Sequence, residues 1–439
     1  MTLGGVKNSR IKVSVILPSL NVGEYIDEAL NSVCRQTLSE IEIICIDAGS
    51  TDGTWEIIKE AESKDDRIRA IQCDVKSYGY QVNLGIREAR GEYIAVLETD
   101  DIVHDDMYEK LYKAAVDHDA DYAKADYEAF VRQDNGEYYF FPRHTFSDTS
   151  MYGRVLVPKE YLQIQRDDWY LWQGIYKREF IIGNDIRLSE TSGAAFQDIG
   201  FLALTGTYAK RTVYLRDLLY CYRIDREEAS SKRSRGIVYS YNEFRSMIDQ
   251  MAGRNMDTPA YRCMLYTRMA RSFVSGYNRI SDSERKGCKY RKELDWFREN
   301  LEGAIEGNLI KDDIIGQGLW KRLMILLDDE NKYCEQFLRA IDDGFFGGHD
   351  RVVIFGCGEF GYKAYMKIIS IGREVVGFWD NNEALIGRTI NGLKIDKVKT
   401  AEEINDDLLI VIANETHYDE MQEQLIRNGF PGERIRVFV

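Results

Sequence analysis

The chain has 439 residues, 44% hydrophobic and 30% charged, and 58 Lys and Arg against 73 Asp and Glu leave a formal net charge of −15. This length supports about two to four domains with a sizeable core, and the composition excludes wholesale disorder. The acidic balance argues against a nucleic-acid partner, whose phosphates need clustered Lys and Arg, and no run of about 18 apolar residues is present to cross a membrane.

Residues 11–17 (IKVSVIL) form a β-branched run that is expected to end at Pro18, which cannot donate to a ladder. A helix-period stretch follows, with Tyr25, Ile26, Ala29, Leu30 and Val33 on one face. A second strand over 41–46 (IEIICI) runs into the turn-rich DAGSTDGT, and a helix extends through Ala61. Strands over 68–72 and 93–97 flank a helix over 81–90. Repeated βα units with near-continuous apolar strands predict a parallel sheet covered on both faces, with ligands at the carboxyl ends of its strands. Asp47, Glu98 and Asp100 fall at those ends.

Residues 131–234 are mixed and aromatic-rich. From 237 to 343 the pattern is helical, with Met247, Met251, Met264, Leu265, Met269, Phe273, Leu323, Leu326 and Leu327 on apolar faces that suit core packing. DGFFGGHD at 343–350 is the clearest boundary. A new α/β unit follows, with strands expected at 351–355, 374–379, 408–412 and 435–438. Only 5 prolines occur, so Pro-rich linkers are not expected and the domains should abut. The 8 cysteines are scattered with no CxxC pair, the N-terminus lacks an apolar signal region, and a reduced, cytosolic setting is the simplest reading. None of His104, His118, His144, His349 and His417 shows metal-site spacing.

Two carboxylates two residues apart at a strand end, Glu98 and Asp100, can share a hard divalent cation that bridges phosphates. In the same stretch, Asp101 or Asp105 is a candidate helix cap. Asp47 can accept from an N–H donor such as uracil N3, or it can cap the turn, a job open equally to Ser50 or Asp52. Trp169, Tyr170 and Trp172 offer a face for an acceptor sugar or for the core. Gly79, Gln81 and Asn83 precede a helix and can present amides or side chains to a ligand. The basic SSKRSR at 230–235 is either a lid over a diphosphate or a solvated loop.

The segments VSVILPSLN, IDAGSTDGT and GYQVNLGIREARGEYIAVLETDD, followed by WQGIYKREFI and GAAFQDIGF, resemble the inverting, GT-A type glycosyltransferases of family 2 over about residues 11–234. The resemblance implies that Pro18, Leu20, Asn21, Glu24 and Asp47 hold the nucleotide base. It implies that Glu98 and Asp100 hold Mg²⁺ or Mn²⁺ and the donor diphosphate, and that Asp198 is the catalytic base. Ala48, Glu98 and Gln197 depart from the family's commonest residues, as does Val82, where many relatives carry Arg. The fold expected is a GT-A nucleotide-sugar-binding domain over 1–234, a mostly helical region over 235–347 and a Rossmann-like α/β domain over 348–439. The expected partners are a nucleotide-sugar donor, in the first place a UDP-sugar, and a glycan or lipid-linked saccharide acceptor in bacterial surface polysaccharide synthesis. Peripheral membrane association and homo-oligomerisation stay open.

In the C-terminal unit, Gly356, Gly358 and Gly361 form GxGxxG between a strand and a helix, and Asp380 closes the next strand. This is the context of a dinucleotide fingerprint, so NAD or another nucleotide there stays open. The unit also resembles the small Rossmann-like domains appended to some bacterial glycosyltransferases, which often have no assigned ligand. An oxidoreductase or nucleotide sensor built on this motif, and a catalytically idle carbohydrate-binding scaffold, remain the alternatives.

Overall fold

A computed structural model describes residues 10–194, 196–226, 234–254, 256–338, 343–404, 407–414 and 417–438. The chain divides into two compact units. One comprises 1–130 with 142–315, and the other comprises 131–141 with 316–439. The helical middle, expected as one segment over 235–347, is therefore divided at Ile315.

The first unit opens with β1 (Val13–Ser19), α1 (Ile26–Cys34), β2 (Ile41–Asp47), α2 (Thr54–Lys64), β3 (Ile68–Gln72), α3 (Tyr78–Glu88) and β4 (Tyr93–Val96). β1, β2 and β4 are buried at every position, the signature of parallel strands covered on both faces. The chain continues through β5 (Ile102–Val103), α4 (Met107–Asp117), β6 (Tyr122–Arg132), β7 (Tyr138–Arg143), α5 (Leu162–Asp167), β8 (Gly174–Lys177), α6 (Arg178–Gly183), α7 (Gln197–Tyr208) and β9 (Thr212–Arg223), of which the last two residues of β6 and most of β7 are assigned to the second unit. Among the described residues these make a nine-stranded sheet in the order β3-β2-β1-β4-β8-β6-β9-β5, with β7 on β6. The first four strands are parallel, and β8 runs antiparallel to both β4 and β6.

One strand boundary differs from expectation. β1 continues through Pro18, which stands in register with Ile46 of β2. Pairing with β4 stops at Ile16, so Pro18 lies past the end of the neighbour on that side and its missing N–H costs no ladder bond there.

Helices α8 (Gly236–Gly253), α9 (Pro259–Arg279), α10 (Asp282–Lys286), α11 (Arg291–Glu306) and α12 (Asp312–Ile315) complete the unit. α9 packs on α8, α11, α5 and α7. Met247, Met264, Leu265, Met269 and Phe273 are buried, as core packing requires. Met251 is half-buried.

The second unit holds α13 (Gln317–Asp328), α14 (Glu330–Phe337), α15 (Asp343–Phe346), β10 (Arg351–Phe355), α16 (Glu359–Ser370), β11 (Glu374–Trp379), β12 (Thr389–Ile390), β13 (Leu393–Asp396), β14 (Leu409–Ala413), α17 (Tyr418–Arg427) and β15 (Ile435–Phe438). Its sheet runs β12-β13-β11-β10-β14-β15, parallel except for the β12–β13 pair. In this unit Leu323, Leu326 and the strand residues Val353, Phe355, Ile410 and Ile412 are buried, while Leu327 is half-buried.

α3 lies so close to the segment after α6 that a Cβ on Gly79 would meet the Ser189 carbonyl oxygen at 2.0 Å. That neighbour is backbone and cannot swing aside. Gly79→Ala is expected to lower stability by about 1–3 kcal/mol, the usual cost of overpacking. Gly183→Ala, with nothing within 4 Å of its added Cβ, is the control and should leave the thermal midpoint in place. Equal midpoints for the two variants would refute the close approach.

Candidate active site

Because β1, β2 and β4 are parallel, their carboxyl ends share one edge of the sheet, where the loops to α1 and α2 and the segment after β4 meet. Asp47, fully buried at the end of β2, accepts from Gly49 N at 3.0 Å, from Ser50 N at 3.1 Å and from Ser50 Oγ. It is the residue that closes this turn. Asp52 both ties across, accepting from Gly23 N at 2.8 Å, and holds the start of α2, accepting from Thr54 N at 3.2 Å and Thr54 Oγ1 at 2.6 Å. Asn21, at φ 51°, accepts from Thr51 N at 2.9 Å, and its own N–H donates to Ser50 Oγ. The Pro18 carbonyl accepts from Thr99 Oγ1 at 3.0 Å. Leu20 is half-buried and Glu24 exposed on the loop leaving β1.

Glu98 and Asp100, just past β4, are both half-buried. Glu98 accepts from Tyr78 Oη at 2.5 Å, and Asp100 accepts from Arg226 Nη1 at 2.8 Å. Burial pushes the Glu98 carboxyl up to about 8; the Tyr78 bond opposes the shift, and the charges of Asp100 and Asp198 add to it. Each of the two carboxylates keeps an oxygen without a partner among the described residues, so the donor set suits a hard divalent cation. Asp101 does not cap a helix. It is buried, accepts from Tyr220 Oη and Arg223 N at 2.7 Å each, and fixes β9 beneath the site. Asp105 pairs with Arg35 on the surface.

Asp198 stands in the first turn of α7, with Phe196 before it at φ 65°. It too is half-buried, and its charge acts on both Glu98 and Tyr78, so the start of α7 lies within electrostatic reach of the end of β4. Burial raises its carboxyl to about 6; the amides of Asp198 and Ile199 and the charges of Arg268 and Lys124 pull the other way. Gln197 is turned from it, donating through Nε2 to Thr191 O, Thr191 Oγ1 and Gly193 O at 3.0–3.1 Å. Behind Asp198 lies a buried ionic group. Lys124 Nζ meets Asp168 Oδ1 at 2.5 Å and Tyr170 O at 2.8 Å, Tyr214 Oη donates to Asp168 Oδ2 at 2.8 Å, and Arg268 Nη2 donates to Asp168 O at 2.6 Å. The Nε and Nη1 atoms of Arg268 have no hydrogen-bond partner among the described residues.

Several expected site residues serve the scaffold instead. Gln81 is buried and spends its Nε2 hydrogens on Ser19 O and Ile46 O, bracing the ends of β1 and β2. Asn83 is buried too, bonded to Leu188 N and O and to Glu190. Trp172 is 5% exposed, stacked on Tyr170, Tyr220 and Tyr222 at 4.2–5.4 Å between centroids, so it is core and no sugar platform. Tyr170 and Tyr222 are the half-buried faces of that stack. Trp169 donates to Arg166 O, and the guanidinium groups of Arg268 and Arg271 lie over its ring. Most of the basic stretch 230–235 lies outside the described residues; Ser234 and Arg235 lead into α8.

In the second unit the GxGxxG segment joins β10 to α16. Gly356 has φ 102°, and a Cβ on Gly361 would meet Gly356 O at 2.0 Å, so both positions need glycine. Asp380 does not wait for a ribose. Its Oδ2 accepts from Cys357 N and Cys357 Sγ, each at 3.0 Å, and its Oδ1 accepts from Asn382 N at 2.8 Å. A carboxylate of the fold thus holds a loop amide that a phosphate would need.

A parallel-led mixed sheet with Glu98, Asp100 and Asp198 gathered at its carboxyl edge is the architecture of a GT-A type glycosyltransferase. Residues 14–169 match glycosyl transferase family 2, and 348–436 match the description "C2185-like, N-terminal". The chain is 28% identical over 308 residues to glycosyltransferase GlyG of Streptococcus pneumoniae, which spans 66% of this chain and 98% of GlyG. It is 31% identical over 226 residues to the uncharacterized glycosyltransferase EpsJ of Bacillus subtilis, 48% of this chain and 60% of that one. Among solved structures, S. aureus TarS 1–349 in complex with UDP-GlcNAc superposes with a TM-score of 0.55 at 20% identity, over 76% of this chain and 95% of that one. The chain carries a family 2 glycosyltransferase domain and is a glycosyltransferase. No helix among the described residues is long and apolar enough to cross a membrane.

Sequence reasoning missed Tyr78, Arg226, Lys124 and Arg268. Arg226 follows β9, which carries Tyr214, Tyr220 and Tyr222, and Arg268 sits among Leu265, Met269 and Ala270 on the apolar stripe of α9, where a cation is out of place. Those two anomalies were available as signals; Tyr78 offered none. A base must be ionised, so turnover should fall as the pH drops through about 6. Arg268→Met removes a cation that favours the ionised form, which raises the pKa and moves the acid limb to higher pH. An unmoved limb in the pH–rate profile would show that Arg268 does not act on Asp198.

Proposed function

We propose that the protein transfers a sugar, with inversion, from a UDP-sugar to a hydroxyl of a glycan or lipid-linked saccharide in bacterial surface polysaccharide synthesis. The observation that carries this reading is Asp198: a half-buried carboxylate raised to about 6, whose charge acts on Glu98 at the end of β4. A base poised just below neutral pH accepts a proton and stays ionised at working pH. Asp198 removes the proton from the acceptor hydroxyl, whose oxygen attacks the anomeric carbon opposite the departing diphosphate. The base is useful only as the hydroxyl bond breaks, so it acts on the transition state more than on the bound substrates.

Glu98 and Asp100 are the residues that would hold Mg²⁺ or Mn²⁺. When bound, the cation supplies positive charge to the leaving diphosphate. Glu98 must then give up the proton that burial favours, and Tyr78 keeps its carboxylate aimed. Pro18, Leu20, Asn21, Glu24 and Asp47 stand where the family holds its base, and the UDP-GlcNAc complex of the TarS neighbour supports uridine as that base. Tyr170 and Tyr222, the half-buried faces of the aromatic stack, replace Trp172 as the candidate acceptor surface.

The test measures UDP release and glycan product with UDP-sugars and Mn²⁺. Asp198→Asn is expected to lower kcat by roughly 10²–10⁴-fold, the usual contribution of a general base, with UDP affinity kept within a few-fold. Turnover equal to wild type in this variant would remove Asp198 from the mechanism. Absence of UDP release with every UDP-sugar and acceptor would overturn the donor class.

A further inference from the structure

The sequence spacing of the histidines suggested no metal site, yet the fold brings three distant donors together. His104 follows β5, Glu128 lies in β6 and Cys221 in β9, and their ligand atoms all lie within 4.8 Å of one another. Among the described residues they are the group of three or more His, Cys and carboxylate donors so placed. The pairing of the strands is responsible. Glu128 stands directly opposite Cys221 on the parallel β6–β9 ladder, and β5 pairs on the other side of β9 with Ile102 opposite Cys221. Side chains alternate along a strand, so Cys221 and Glu128 project from the face opposite Tyr127, Tyr220 and Tyr222, away from the aromatic stack.

The separations decide what this cluster suits. His104 Nε2 is 3.0 Å from Glu128 Oε2 and 3.4 Å from Cys221 Sγ. One ring nitrogen thus faces both other donors, although a single N–H can serve only one of them well. With Zn–S of about 2.3 Å and Zn–N or Zn–O of about 2.0 Å, an ideal tetrahedron has an N–S edge of about 3.5 Å and an N–O edge of about 3.3 Å. The two edges that meet at His104 Nε2 are already close to those values, and the third, between Glu128 and Cys221, lies within 4.8 Å. Cys221 is buried and held by the ladder, while His104 is exposed, which leaves the fourth corner to water from the solvent side. A thiol, an imidazole and one carboxylate select a borderline-soft ion and not the hard Mg²⁺ or Mn²⁺ suited to Glu98 and Asp100.

We propose that His104, Glu128 and Cys221 form a zinc site that ties β5, β9 and β6 together. The site is separate from the metal position at Glu98 and Asp100 and does not rest on the transferase reading. Binding converts the Cys221 thiol to a thiolate, and the released proton goes to solvent.

The full-length protein, freed of metal with a chelator, is titrated with Co²⁺, which reports thiolate ligation through a sulfur-to-metal charge-transfer band in the near ultraviolet. The expected result is a band that saturates at one ion per chain, is displaced by Zn²⁺ and survives excess Mg²⁺. Cys221→Ser should abolish it. His104→Ala, a change at an exposed side chain that leaves the fold intact, should weaken Co²⁺ binding roughly tenfold or more. Absence of the band in the wild type overturns the proposal. So does a band that persists in Cys221→Ser, or one that His104→Ala leaves at wild-type affinity.

Discussion

The site depends on how the fold tolerates three carboxylates in one half-buried cleft. Like charges in partial burial repel and are desolvated together, and each favours its neighbour's neutral form. Here Glu98 rises to about 8 and Asp198 to about 6. Burial raises both, and their surroundings differ. At Asp198 the amides of Asp198 and Ile199 and the charges of Arg268 and Lys124 oppose the rise. At Glu98 the Tyr78 bond and Arg226 oppose it, while the charges of Asp100 and Asp198 add to it. Environment therefore separates two chemically similar groups into a proton acceptor and a residue that stays neutral until a cation arrives.

The cations acting on Asp198 are themselves buried, and that constraint reaches back through the sheet. Lys124 is inaccessible near the start of β6, where an unpaired ammonium would be costly; Asp168, Tyr170 O and the aromatic rings of Tyr122 and Tyr176 surround it. Arg268 comes from α9, outside the residues that match family 2, and reaches the same Asp168. The helices after β9 thus take part in the electrostatics of the cleft. This explains why α9 packs with the catalytic unit and not as part of an independent helical domain.

Much of this was legible in the sequence, in proportion to how local each signal was. The parallel strands were readable because burial on both faces demands unbroken apolar runs, as in IEIICI. Glu98 and Asp100 could be singled out because they follow such a run, whereas Asp198, in the first turn of α7, was reached only through the family resemblance of GAAFQDIGF. Gln81 and Asn83 were misread because a polar residue beside a ligand edge looks the same in sequence whether its amide meets substrate or a backbone carbonyl. Trp172 failed for the same reason: stacking on Tyr220 and Tyr222 depends on two strands far apart in the chain. The cluster of His104, Glu128 and Cys221 was invisible because its geometry exists only once β6, β9 and β5 are in register.

The GxGxxG loop carries that lesson furthest. Each outer glycine is needed for a backbone reason that holds with or without a ligand: Gly356 for its positive φ and Gly361 for close packing on Gly356 O. The loop also lies at the end of β10, between β11 and β14, where the strand order reverses and a crevice forms. Pattern and placement therefore agree with a nucleotide site, while the carboxylate that would turn to a ribose is engaged within the loop. A phosphate binds by taking amides that have no other partner, and Asp380 already accepts from Cys357 N. Asp380 would also have to turn toward a ribose, leaving that amide and the Cys357 thiol behind. The glycines and Asp380 thus build this turn together, each through a bond or a close approach that the fold itself supplies.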